Sequence, residues 1–203
     1  MITKAQGRVL AGEAVQQDQA RLSALEKAML RWVVVDPEDK LLDANVETGM
    51  MAEYLRRNMQ CEVCGVSENM ECVRQARSRL QSCDIVYAAA GDIPWHADQF
   101  DTVLYKLRSP EEDALKKNFE EVCRVLKPGG QLIIGLHSLP AVLSMVIGLF
   151  SDEGEKRGYT HQELENMLAD TAFENISWQR TGINTGVLTA WKHKEGQDIP
   201  WKN

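Results

Sequence analysis

Short apolar runs alternate with longer amphipathic segments along most of this chain, and few folds satisfy that order. KLLDA (40–44), CEVCGV (61–66), DIVYAAA (84–90), FDTVLYK (100–106) and QLIIGLH (131–137) read as strands. MMAEYLRRN (50–58), ENMECVRQARSRLQ (68–81) and SPEEDALKKNFEEVCRVL (109–126) read as helices between them, the last with Ser109 as N-cap and Pro110 at the first position. YTHQELENMLAD (159–170) is a helix behind a capping box, Thr160 with Glu163. NISWQR and GVLTAWK, joined through TGINT, form a closing antiparallel hairpin. DPED (36–39) and KPGG (127–130) are turns. Residues 3–33 lack proline and repeat Leu22, Leu25, Ala28, Met29 and Trp32 at helical spacing, so helix packed on the domain is expected there. Near-continuous apolar strands linked by helices imply a parallel sheet covered on both faces. Such sheets bind ligands outside the carboxyl ends of their strands. Here that place is the turn after the first strand, LLDANVETG (41–49).

Composition narrows the function classes. At 203 residues one domain is the natural expectation: a helical segment 1–33 packed on an α/β domain 34–193, with an exposed tail 194–203. A net charge of −7 argues against nucleic acid, whose backbone is gripped by clustered Lys and Arg. The longest apolar run, LPAVLSMVIGLF (139–150), falls short of the ~20 residues of a membrane span. The N-terminus is too polar for a secretory signal, and five cysteines are an odd count for disulfides. A cytoplasmic protein with free thiols follows. CEVC (61–64) lies on a strand, where residues three apart point to opposite faces, so no metal site is expected from it. His96 and His137 have no partner that sequence identifies.

Four segments resemble the class I S-adenosylmethionine-dependent methyltransferases of the "type 11" kind. RVLKPGGQLIIG (124–135) is similar to the family's turn and fifth strand. DIPWHADQFDTVLY (92–105) resembles its D-L-P-F…S-F-D-V-V segment, and GVSENMECVRQARSRL (65–80) its G-V-D-x-S-x-x-M-L segment. YTHQELENMLADTAF (159–173) resembles its Y-T-x-E-E-L…A-G-F segment, with Ala172 for the usual glycine. The resemblance implies a Rossmann-like, doubly wound α/β sheet of seven strands, order 3-2-1-4-5-7-6, strand 7 antiparallel. It also implies S-adenosylmethionine as cofactor.

The resemblance assigns the cofactor crevice to Asp43, Asn45, Glu47, Gly49, Ser67, Ala89, Asp92, Ile93 and Tyr105. The family's glycine turn falls on Asn45, Glu47 and Gly49, its ribose acid on Ser67, and its adenine acid on Ala89. Asn45 is among the few non-glycine residues that tolerate left-handed backbone, so it can keep the turn's shape. Glu47 adds bulk and charge where the cofactor's methionine part approaches. At ~4 Å and an effective dielectric of ~20, like charges repel by about 4 kcal/mol. Ser67 offers one weaker bond in place of a charged one contributing roughly 1.5–3 kcal/mol. Ala89 offers none. Weak or absent cofactor binding is therefore expected.

The acceptor side carries Tyr105, Lys106, Arg108 and His137 near strand ends, read as a polar rim. The run 139–150 is a core helix, with a pocket cover or a homodimer or partner interface as alternatives. Three functions remain open: a methyltransferase acting on a small molecule, a non-catalytic binding or regulatory relative, and an enzyme using another nucleotide-like ligand in the same crevice.

Overall fold

A computed structural model describes residues 19–107, 112–137, 159–182 and 185–194. Its elements in chain order are α1 (Ala24–Leu30), β1 (Lys40–Asp43), α2 (Met50–Met59), β2 (Glu62–Ser67), α3 (Met70–Arg79) and β3 (Ile85–Tyr87). Then come β4 (Phe100–Leu107), α4 (Glu112–Val125), β5 (Leu126–His137), α5 (His161–Ala169), β6 (Phe173–Arg180) and β7 (Thr185–Lys192). The seven strands form one sheet of order β3-β2-β1-β4-β5-β7-β6. Strands β1 to β5 run parallel, and β7 is antiparallel to both β5 and β6. This is the expected fold and strand order.

Alternation along each strand splits the core into two layers. Leu42, Cys64, Val66, Tyr105 and Ile134 pack with α4 and α5 through Leu115, Phe119, Leu164 and Leu168. Leu41, Val63, Leu104, Ile133 and Val187 pack with α1, α2 and α3 through Met29, Leu55 and Ala76. Cys61 and Cys64 fall in different layers, as the strand reading of CEVC requires. All five cysteines are free, and burial pushes the Cys61 and Cys64 thiols up to about 11 and about 12.

Three expectations need correction. The helix expected through the N-terminal segment is interrupted in its described part: Gln19 and Ala20 are helical, the chain turns, and α1 starts afresh. Ser23 accepts from the Glu26 amide at 3.2 Å, and the Glu26 carboxylate accepts from the Ser23 amide at 2.9 Å. This second capping box supplies partners for amides that a continuous helix would have bonded to its own carbonyls. The third strand, expected over 84–90, ends at Tyr87 because its ladder with β2 stops at Ser67↔Tyr87 and the chain turns, Asp92 amide to Ala89 carbonyl. KPGG lies inside β5 as an irregularity: Phe100 pairs with Leu126 and Thr102 with Gln131, leaving the intervening residues bulged, with Gly129 left-handed at φ 79°. Residues 1–18, Arg108, Ser109, Pro110 and the run 139–150 lie outside the described residues.

The α1 helix docks at a notch. A Cβ at Gly135 would stand 2.3 Å from the sulfur of Met29, which is fully buried. Only glycine lets the helix come this close to β5. The Trp32 carbonyl accepts from Gln131 at 3.2 Å, and Gln19 donates to the Tyr54 hydroxyl at 2.9 Å. The capping box at Thr160 and Glu163 opens α5 as expected. Among the described residues, no helix is long and apolar enough to cross a membrane.

Candidate functional site

The carboxyl ends of β1, β2, β3 and β4 converge on two adjoining features. Asp43 ends β1 and Lys106 lies near the end of β4, on the sheet face covered by α1. Ala44 and Tyr105 belong to the layer under α4. Asn45 joins the two, with its side-chain amide donating to the Lys106 carbonyl at 2.9 Å.

On the α1 face sits a buried charge cluster. The Lys106 ammonium lies 3.5 Å from Glu26, 3.6 Å from Glu47 and 3.8 Å from Asp43. Lys106 is 6% exposed, Glu26 5% and Asp43 1%. Lys106 is therefore no rim residue; nor is Tyr105, at 4%. Both lie on a strand end roofed by a helix, which sequence spacing does not reveal. One Asp43 oxygen accepts from the Asn45 amide at 3.3 Å, while the other is buried with no hydrogen-bond partner among the described residues. Burial raises the Asp43 carboxyl above its usual range, with the Lys106 charge opposing. Burial works against the Lys106 charge, but Asp43, Glu26 and Glu47 outweigh it and raise its pKa. Glu47, partly open to water, meets this ammonium, so the bare charge expected of it is countered within the chain.

On the α4 face a cavity of about 210 Å³ is lined by Ala44, Asn45, Ser67, Glu68, Asn69, Ala88, Ala90, Tyr105 and Asn118. Ala88 and Ala90 form its wall; Ala89 is not among its lining residues. The Ser67 hydroxyl accepts from the Asn69 amide at 3.3 Å, and Asn69 caps α3 through the amides of Glu71 and Cys72. Asn118 donates to the Tyr105 hydroxyl at 2.9 Å. Burial, helped by the nearby Glu68 charge and opposed by the Asn118 bond, pushes the Tyr105 phenol up to about 12. Tyr105 thus stays protonated near neutral pH and has no place as a base there.

The remaining expected residues are placed as follows. Asn45 does not adopt positive φ, so it does not reproduce a glycine turn; its side chain binds β4 instead. Gly49 does, at φ 78°, and a Cβ there would stand 3.0 Å from the Ala76 backbone. Its glycine serves the close packing of α2 on α3. Asp92 is exposed. Ile93 is buried, its amide donating to Glu121 at 3.0 Å and its carbonyl accepting from Arg124 at 2.9 Å. The His137 side chain lies outside the described residues. Two acids were missed. Glu26 was hidden in a stretch read only for its apolar face, although the Ser23–Glu26 spacing is a capping-box signal. Glu68 stands one position after the aligned ribose acid. Among the described residues, no group of three or more His, Cys, Asp or Glu could hold a metal ion.

Comparison with known proteins gives the site its context. Residues 42–134 match the family model described as a methyltransferase domain. A demethylmenaquinone methyltransferase of Paenarthrobacter aurescens is 33% identical over 122 residues, covering 55% of this chain and 47% of that protein. A ubiquinone/menaquinone biosynthesis C-methyltransferase of Cereibacter sphaeroides is 33% identical, covering 53% of this chain and 46% of that one. The chain thus spans about half the length of the curated relatives it matches. Among solved structures, a putative methyltransferase of Haloferax volcanii, in complex with the Trm112 methyltransferase activator, superposes with a TM-score of 0.75 at 15% identity, over 91% of this chain and 95% of that one. A SAM-dependent methyltransferase of Methanosarcina mazei gives 0.68 at 23% identity, over 79% and 95%.

Proposed function

We propose that this chain is a class I S-adenosylmethionine-dependent methyltransferase family member with a weakened hold on the whole cofactor. It acts as a binding or regulatory protein, and methyl transfer to a small-molecule acceptor is slow or absent. The observation that carries this reading is the first turn of the crevice. Where the resemblance calls for glycines, Glu47 meets Lys106 at 3.6 Å and Asn45 is tied to β4.

Tested against these residues, S-adenosylmethionine, the family's cofactor, fits in part. The cavity beside Ser67 and Tyr105 offers apolar wall and polar rim of the kind a nucleoside needs. The methionine half does not fit, because a lysine with three carboxylates fills the buried space behind Asn45. Free thiols support a reducing, cytoplasmic setting, and the docking of α1 supports treating residues 19–33 as an arm of the α/β domain.

Titration calorimetry with S-adenosylmethionine and its demethylated product tests the reading. The expected result is no binding below ~10 μM, about −7 kcal/mol. Tighter binding overturns it in favour of a second reading, an active methyltransferase. That reading draws on the menaquinone and ubiquinone methyltransferases among the relatives and takes a quinone-like ring as acceptor. The double variant Glu47→Gly with Ser67→Asp separates causes. Recovered binding locates the defect in those two side chains, and continued failure locates it in Lys106.

A further inference from the structure

We propose that Lys106 is a tethered ammonium standing where a ligand's amino-acid tail would bind, so that the crevice selects nucleosides lacking such a tail. This rests on the reading of the site given above and names its ligand class.

The charge cluster has the form of an ammonium site. An ammonium carries three donors. Lys106 faces three carboxylates brought from three places: Glu26 on α1, Asp43 at the end of β1, and Glu47 in the turn. With all three ionised, the set carries a formal surplus of two negative charges over the single lysine. None of the three distances, 3.5 to 3.8 Å, is as short as a tight ion pair. One Asp43 oxygen is buried without a hydrogen bond. The lysine is thus surrounded rather than clamped. A ligand ammonium would need these same acids, so it and Lys106 exclude one another. A ligand with a short uncharged 5′ substituent makes no such demand.

The neighbouring cavity fits what remains of such a ligand. Its volume of about 210 Å³ lies below the ~300–1,000 Å³ of sites for whole drug-sized ligands. Ala44, Ala88 and Ala90 give a base a smooth apolar wall. Glu68 is the carboxylate lining the cavity, next to the Ser67 hydroxyl. The two oxygens of a carboxylate match the two adjacent hydroxyl donors of a ribose. The family resemblance places its ribose acid at Ser67, and the structure brings Glu68 to the same cavity.

The experiment is calorimetry on the full chain with 5′-methylthioadenosine, adenosine and S-adenosylmethionine. Methylthioadenosine is expected to bind at least tenfold more tightly than S-adenosylmethionine. Lys106→Met should raise S-adenosylmethionine affinity at least tenfold and change methylthioadenosine affinity less than twofold. Glu68→Gln should weaken methylthioadenosine at least fivefold. If S-adenosylmethionine binds the unmodified chain below ~10 μM, the functional reading above fails and this inference with it. If S-adenosylmethionine is weak and methylthioadenosine no tighter, only this inference is overturned. Should Lys106→Met not fold, the ranking of nucleosides on the unmodified chain decides.

Discussion

Two ionic networks in this molecule use similar residues to different ends. Around Arg124, the guanidinium donates to Glu121 at 2.7 and 2.8 Å, to the Trp95 carbonyl at 2.8 Å and to the Ile93 carbonyl at 2.9 Å. Glu121 in turn accepts from the Ile93 amide at 3.0 Å. The network is part-exposed, its bonds are short, and it fastens the loop before β4 to α4. Around Lys106, burial is nearly complete, the distances are long, and a carboxylate oxygen has no hydrogen bond. A network that only holds the fold together satisfies its donors and acceptors, since an unmet buried polar atom costs about 1–3 kcal/mol. The second network carries that cost at the ends of the parallel strands, where such folds place their ligands.

The comparison breaks most visibly on removing its two cations. Lys106→Met leaves the buried carboxylates of Glu26 and Asp43, beside the part-exposed Glu47, without their cation, and a loss of about 3–5 kcal/mol in urea unfolding is expected. A loss below ~1 kcal/mol would mean that the acids are neutral or solvated in the folded protein. Gly135→Ala attacks the same cluster from behind. The new methyl overlaps the buried Met29 side chain, so Met29 must repack or α1 shift and carry Glu26 with it. A destabilisation of about 1–3 kcal/mol is expected, with faster amide exchange across residues 19–30 than in the unmodified protein. Unchanged exchange there would show that α1 is held by other contacts.

Arg124→Met should cost less, about 1–2 kcal/mol, because water reaches the pair and screens its charges. Its mark should be local: the fluorescence of Trp95, which packs edge-on against Phe100, is expected to change. The smallest effect concerns pH, and the two networks should fail at opposite ends. The Arg124 bond lowers the Glu121 carboxyl below its usual 4.5. Its stabilisation is therefore complete above 4.5 and lost as pH falls through the lower folded value. Lys106 is raised above 10.5, so its contribution is complete below that pH and lost as pH rises through the folded value. Asp43, raised above 3.8 by burial, adds stability while protonated and loses it as pH climbs from 3.8 to its folded value. Denaturation curves across pH should show Glu121→Gln flattening the acid limb, and Lys106→Met flattening the alkaline limb while raising the Asp43 carboxyl further, because its opposing charge is gone.

Local rules were enough for the parts of the molecule made by neighbouring residues. Thr160 and Glu163 start α5, and apolar runs such as QLIIGLH fall on central strands because buried parallel strands tolerate little else. The order of segments also fixed the site's place, after β1. Where two elements compete, local reading fell short. Residues 84–90 carry strand composition throughout, yet the strand ends where its partner does. The N-terminal segment has helical spacing throughout, yet it breaks at Ser23, whose side chain competes for the amides.

The chemistry of the crevice was decided by tertiary structure, because a charge acts over a few ångströms of space and not along the chain. Glu26 and Lys106 lie 80 positions apart, and nothing in either neighbourhood announces the other. Their meeting depends on the notch at Gly135, which lets α1 approach the sheet, and on the pleat, which turns Lys106 toward that face and Tyr105 away from it. By itself the sequence determined which strands form and that the turn at 41–49 has lost its glycines. Only the folded chain decided that Glu47 faces a lysine and that Glu68 reaches the cavity, since both follow from side-chain directions at strand ends.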